Sequence, residues 1–307
     1  LAGLAVASGS SKRSALKIGG TDRYLADYLR HEVLAHLSEA RVSFLTRTAI
    51  LERFCGSLCD AVRGATDSIR AIERMERSNL LIVPLDRTRE WYRYHHLLRD
   101  FLQAELARRE PALVPTLHTR AAEWFEAHHM PELAIAHAQA VGDTDRVARI
   151  VLRVGRVTYG LGRAETVFGW LRWFEHADRI GRYPDVAALG ALVHALAGDE
   201  PGSDRWAAVL FAPRDGADKG ELSYIGRLLR AILARDGTRQ MRADAAAVRE
   251  APSQHEWLPS ALGLEAFSYL WEGDVDRADA LFAQAAAAGE WFLGLPAATL
   301  ALACRAM

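Results

Sequence analysis

At 307 residues, half of them hydrophobic and a quarter charged, the chain has enough apolar material for roughly two domain cores. Its 38 Lys and Arg balance 39 Asp and Glu to a formal charge of −1, which excludes a global basic field for holding nucleic acid. Three cysteines, Cys55, Cys59 and Cys304, are too few for a secreted disulfide scaffold and point to a reducing, cytoplasmic setting.

The opening "LAGLAVASGSSKRS" has an apolar run too short to span a membrane and lacks the basic start of a signal peptide. Residues 1–20 begin without Met and in mid-pattern, as the tail of a preceding domain or a linker would. Thr21 and Asp22 then offer caps for a helix with Tyr24, Leu25, Tyr28, Leu29, Val33, Leu34 and Leu37 on one face. "SEARVSFLTRTAIL" predicts a second helix and "SLCDAVRG" a third that stops at Gly64. "ATDSIRAIERMERSN" predicts another, capped by Thr66 or Asp67, with Ile69, Ile72 and Met75 on one side and an end at Ser78 and Asn79. The β signal follows: "LLIVPLD" and "WYRYH" are short apolar runs joined by the polar "RTRE". After His96 the rhythm turns helical through Leu97, Leu98, Phe101, Leu102 and Leu106. Helices, a two-stranded hairpin and one more helix describe a winged-helix module over residues 21–110.

From Pro111 to Met307 the β signals vanish and Ala-rich amphipathic segments alternate with Gly-Asp breaks. "GDTDRVARI" at Gly142 recurs as "GDVDRADAL" at Gly273, with related breaks at Gly198-Asp199 and Asp236-Gly237. The intervals are irregular, but the last step is close to the roughly 34-residue period of tetratricopeptide helix pairs. The predicted fold is therefore mainly α: a winged helix, then a tetratricopeptide-like α-solenoid over residues 111–307, with an irregular bundle as the alternative. In the last pair Ala278, Ala283 and Ala286 let backbones approach while Leu281 and Phe282 fill the gap. Trp124, Phe125, Trp170, Trp173, Phe174, Trp206, Trp257 and Trp271 are the expected packing knobs.

Motifs for chemistry are few. "HEVLAH" spaces His31 and His36 five apart, where a helical zinc motif needs four. Cys55 and Cys59 lack a second cysteine pair and read as small buried residues. His118, His128, His129 and His137 fall at expected helix ends and turns, where solvated or capping roles outweigh metal binding. No GxxxxGK[ST] loop or GxSxG elbow occurs, so the chain is not expected to be an enzyme by itself. His95 and His96 stand at a strand-to-helix junction, where free backbone N–H groups and the helix dipole favour an anion. An imidazole there can donate to a phosphate oxygen from another domain, or bond a backbone carbonyl in the core; the pattern leaves both open.

Taken together, "RYLADYLRHEVLAHL", "FLTRTAIL", "LCDAV", "IERMERSNLLIVPLD" and "WYRYHHLLRDFL" resemble the MalT-type family, large ATP-binding regulators of the LuxR class within the signal-transduction NTPases. "AAEWFEAHHMPELAIAHAQAVGDTDRVARIV" resembles the start of that family's helical repeats, and "YPDVAALGALVHALAGDEPGSDRWA" fits them more loosely. The resemblance implies a nucleotide-binding domain before the winged helix and a helix-turn-helix after the repeats, with this chain as the middle. ATP or ADP would belong to the parent protein, and no cofactor to this segment. In related signalling NTPases a "MHDLL" motif stands at the same junction, and its histidine reaches the β-phosphate of ADP. Here "YHHLL" sets Tyr94 at the Met, His95 at the His and His96 at the Asp, the last a departure from the pattern.

The implied function is a sensory and regulatory segment of an ATP-dependent transcriptional activator. The winged helix would partner its own nucleotide-binding domain, and the repeats an inducer or partner protein, with no membrane and no direct nucleic acid. Trp170, Arg172 and Trp173 are the candidate inducer contacts, inter-repeat packing being the other reading. The alternatives are the regulatory arm of a kinase or cyclase, or a protein-binding scaffold.

Overall fold

The structure, a computed structural model, describes residue 27 and residues 29–77, 82–175, 179–211, 221–251 and 257–289. The expectations attached to residues 1–20, Thr21, Asp22, Tyr24, Leu25, Tyr28, Ser78, Asn79, Leu80 and Cys304 lie outside the described residues. The chain divides into two compact units, Leu1–Asp143 and Thr144–Met307.

In the first unit a π-helical turn, Leu29–Leu34, buries Leu29 and Leu34. Helix α1 (Glu39–Thr48) buries Val42, Phe44 and Leu45. Helix α2 (Gly56–Arg63) buries Leu58, Cys59 and Val62, and it stops at Gly64 with φ +68°, the left-handed conformation that glycine adopts without a Cβ penalty. Helix α3 (Ser68–Arg77) buries Ile72 and Met75. Ile69, expected on the same side, is 45% exposed. Each step of three residues falls about 60° short of a full turn, so Ile69 lies about 120° round from Met75.

Strands β1 (Ile82–Pro84) and β2 (Tyr92–Tyr94) pair antiparallel, Ile82 opposite Tyr94 and Pro84 opposite Tyr92. The Asp86 carboxylate organises the connector by accepting the N–H of Glu90 at 3.0 Å and of Trp91 at 2.8 Å. Phe54 adds a bridge, exchanging both backbone hydrogen bonds with Tyr92 at 2.8 Å. Helix α4 (His96–Arg109) packs on α1 and buries Leu98, Phe101, Leu102 and Leu106. Three helices, a hairpin and a closing helix make the winged-helix arrangement. Glu105 is buried with them and accepts from Arg30 and Arg108 at 2.7 Å and from Arg109 at 3.2 Å.

After a tight turn at Pro111–Leu113, helices α5 (Val114–Ala127) and α6 (Pro131–Val141) form a hairpin. Helix α5 packs on α2, and Arg120 donates to the Val62 carbonyl at 3.2 Å. The sequence pattern changes at residue 111, whereas this hairpin belongs to the first compact unit.

The second unit is wholly helical among its described residues: α7 (Thr144–Gly160), α8 (Ala164–Glu175), the short α9 (Arg179–Arg182), α10 (Pro184–Leu196), α11 (Glu200–Phe211), α12 (Glu221–Leu233), α13 (Gly237–Arg249), α14 (Leu258–Trp271) and α15 (Val275–Ala288). Helices α7 and α8, α10 and α11, α12 and α13, and α14 and α15 pack as pairs. One row of contacts runs α7, α10, α12, α14, and the second members α11 and α13 pack on the first member of the next pair. This two-layer stacking is an α-solenoid, in which each pair covers the apolar face of its neighbour. Prolines in the first turns of α6, α10 and α14 start helices without losing a hydrogen bond. Helix α10 is buried nearly all round, and its Gly190 lets the Trp206 ring of α11 reach the backbone.

The packing knobs divide. Phe125, Trp170, Phe174 and Trp206 are buried, whereas Trp271 at the end of α14 is 60% exposed. In α15, Ala278 and Ala285 are the small residues turned into the core with Phe282, and Ala283 is exposed. Among the described residues no helix is long and apolar enough to cross a membrane.

Candidate functional site

The junction between β2 and α4 is set by two periodicities meeting. Tyr92 and Tyr94 point inward and Arg93 outward, as alternation on a strand requires. From Leu98 the buried positions repeat at helical spacing. Tyr94 is anchored by a 2.7 Å hydrogen bond to the Thr48 hydroxyl inside the core. That anchor fixes the residue after it.

His95 is the N-cap of α4, with φ −59° and ψ 136°, and its side chain makes no capping bond. Its ring is half-buried and lies 4.4 Å from the ring of His96, which is exposed. Partial burial, with the adjacent His96 and Arg93, holds the His95 imidazole below its ordinary value. It is therefore neutral at pH 7, with one ring N–H to donate and one nitrogen to accept. The first turn of α4 carries no acidic side chain of its own, and the Glu52 carboxylate approaches it only through Arg99, at 3.9 Å, so the positive end of the helix dipole favours an anion. Such an arrangement can donate a hydrogen bond to an anionic oxygen.

The other predicted positions are dispersed. Trp170 is buried in the core of the second unit, 7% exposed. Trp173 is half-buried, with the Arg179 guanidinium over its ring at 4.0 Å. Arg172 is exposed and lines a polar cavity of about 300 Å³ with Glu165, Phe168, Glu175, His194 and Asp199. Neither tryptophan contributes to that lining.

His31 and His36 are exposed. Cys59 is buried, and burial pushes its thiol well up; Cys55 is half-buried at the start of α2. His128 does cap α5, stacked on Trp124 at 3.6 Å. His118 and His137, expected at helix ends, are instead mid-helix and face each other across the α5–α6 hairpin with Nδ1 atoms 2.9 Å apart. Burial, and then His118, push His137 down to about 4. A signal for this pair was present. His118 shares the inward spacing of the buried Ala121, Ala122 and Phe125, and His137 lies between the buried Ala134 and Ala138. Among the described residues no group of three or more His, Cys, Asp or Glu side chains is placed to hold a metal ion.

A family model for the MalT winged helix domain matches residues 30–114. Over these residues the chain is similar to that domain. Its hairpin and α4 are the elements that present His95. The chain is 33% identical over 168 residues to the HTH-type transcriptional regulator MalT of Vibrio campbellii (strain ATCC BAA-1116), a match covering 55% of this chain and 18% of that protein. The matched stretch thus spans less than a fifth of the relative's length. The crystal structure of a Signal Transduction ATPase with Numerous Domains protein with a tetratricopeptide repeat sensor, from Pyrococcus horikoshii, superposes at TM-score 0.46 and 13% identity, over 85% of this chain and 46% of its own. That superposition is too loose to carry structural detail to this chain.

Proposed function

We propose that the chain is the sensory and regulatory segment of an ATP-dependent transcriptional activator of the MalT type. The observation that carries the reading is His95, a neutral, half-buried imidazole without a capping bond at an N-terminus whose first turn has no acid. The likeness of 168 residues to a transcriptional regulator supports the setting. On this reading the winged helix docks on its own nucleotide-binding domain, and His95 donates to a phosphate of ADP, with His96 beside it. The bond exists only in the closed arrangement, so it stabilises that arrangement over the open one, as a switch requires. ATP and ADP belong to the nucleotide-binding domain, and this chain contributes a contact and no chemistry of its own. The protein works in the cytoplasm, and the solenoid receives the inducer or partner protein. The winged helix does not read DNA, because Arg70, Arg74 and Arg77 on α3 alternate with Glu73 and Glu76.

The test is His95→Ala in the protein that carries its nucleotide-binding domain. A hydrogen bond to a charged phosphate is worth about 1.5 kcal/mol or more, so ADP release accelerates about tenfold or more. Basal transcription rises with it. An unchanged ADP release rate in a folded variant refutes the phosphate contact.

A further inference from the structure

Within the second unit, α7, α10 and α12 surround a cavity that the packing of the pairs leaves unfilled. Its wall is Leu152 from α7, Ala188, Leu189 and Leu192 from α10, and Ile225, Leu228, Leu229 and Ile232 from α12. Leu152, Ile225 and Ile232 are half-buried. Aliphatic side chains directed into a shared hollow keep apolar surface that a ligand would remove from water. The polar members of the lining are Arg156, Asp185 and Trp257. The Arg156 guanidinium lies 5.0 Å over the Trp257 ring, and the lining also holds the Asp185 carboxylate, so it carries one formal charge of each sign. The lining therefore selects neither an anion nor a cation. The Trp257 Nε1–H is buried and has no hydrogen-bond acceptor among the described residues, a state that folded proteins normally avoid.

We propose that this cavity binds a small neutral amphiphile whose apolar body fills the aliphatic wall and whose hydrogen-bond-accepting end takes the Trp257 N–H. The volume is about 260 Å³; benzene fits a cavity of roughly 150 Å³, so a ligand of about ten non-hydrogen atoms is the right size. This deepens the reading of the solenoid as the part that receives a signal. It rests on that reading for its purpose and not for its chemistry.

The probe is octanamide, a neutral molecule of that size with a carbonyl acceptor, titrated calorimetrically into the full chain. Saturable 1:1 binding with a negative heat-capacity change is expected, the mark of apolar burial. Trp257→Phe keeps a ring under Arg156 but removes the donor, and weakens binding about fivefold. Ala188→Phe fills the cavity and abolishes binding; where circular dichroism shows that variant unfolded, Ala188→Leu replaces it and must weaken binding. Octanoate, with a charged end, binds more weakly than octanamide. Absence of saturable binding, affinity unmoved by both Trp257→Phe and the Ala188 variant, or octanoate binding as tightly as the amide overturns the proposal. The two readings fail separately. Octanamide binding that leaves ADP release unaltered in the nucleotide-binding protein supports the cavity and counts against the solenoid as signal receiver, whereas a silent His95→Ala leaves the cavity untouched.

Discussion

Replacing Glu105 by Gln removes one negative charge from the middle of the winged helix while keeping the side chain's shape. The carboxylate is 3% exposed. Burial by itself raises its proton affinity, but hydrogen bonds from Arg108, Arg30 and Arg109 outweigh that and bring it to about 2, against an ordinary 4.5. At about 1.36 kcal/mol per pH unit the gap corresponds to about 3 kcal/mol. The arginine side chains remain 39%, 60% and 33% exposed, and water takes back part of their interaction, so about 2 kcal/mol is expected at pH 7. The sign follows from linkage. The folded state holds its proton less tightly than the unfolded chain, so the stabilisation is fully present above pH 4.5. It is lost progressively as the pH falls from 4.5 to 2. Amide hydrogen exchange of residues 96–109 across a urea series, for both proteins at pH 7 and at pH 3, measures the difference where the change is made. The gap between wild type and Glu105→Gln should narrow at pH 3 to less than half its value at pH 7. A gap that is absent at pH 7, or equal at both pH values, would show that the three arginines do not stabilise the ionised carboxylate.

Gly190→Ala places a Cβ where the Trp206 ring already lies against the backbone of α10. Overpacking of this kind is expected to cost about 2 kcal/mol, read as a lower thermal midpoint of the second unit together with a changed Trp206 near-ultraviolet signal. The His118–His137 pair predicts an acid-sensitive α5–α6 hairpin. His137 is held neutral to about 4, so the unfolded chain binds the extra proton first and stability falls between pH 6.5 and 4. Protection of α6 amides should decline over that window in the wild type and decline much less in His137→Gln.

Much of the path to these sites is legible in one dimension. The alternation of Tyr92, Arg93 and Tyr94 followed by helical spacing from Leu98 places a strand-to-helix junction at His95, because side-chain direction along a strand or helix depends only on local backbone geometry. The Gly-Asp breaks work in the same way. Gly142 and Gly273 adopt φ +71° and +87°, ending one helix, and the Asp274 carboxylate accepts the Arg277 N–H to begin the next. Periodicity can still mislead at its margins, as at Ile69, where three-residue spacing drifts round the helix.

Partnership across elements is a different matter. That Glu105 faces Arg30 from 75 positions away, that His118 meets His137, and that α7, α10 and α12 leave a hollow walled partly by Trp257 all depend on how helices are set against one another. By itself the sequence determined which residues lie on which face of which element, and hence a winged helix followed by stacked pairs. Only the tertiary structure decided which of those faces meet, because a contact between distant segments is fixed by the packing of all the side chains between them and leaves no periodic trace in either segment.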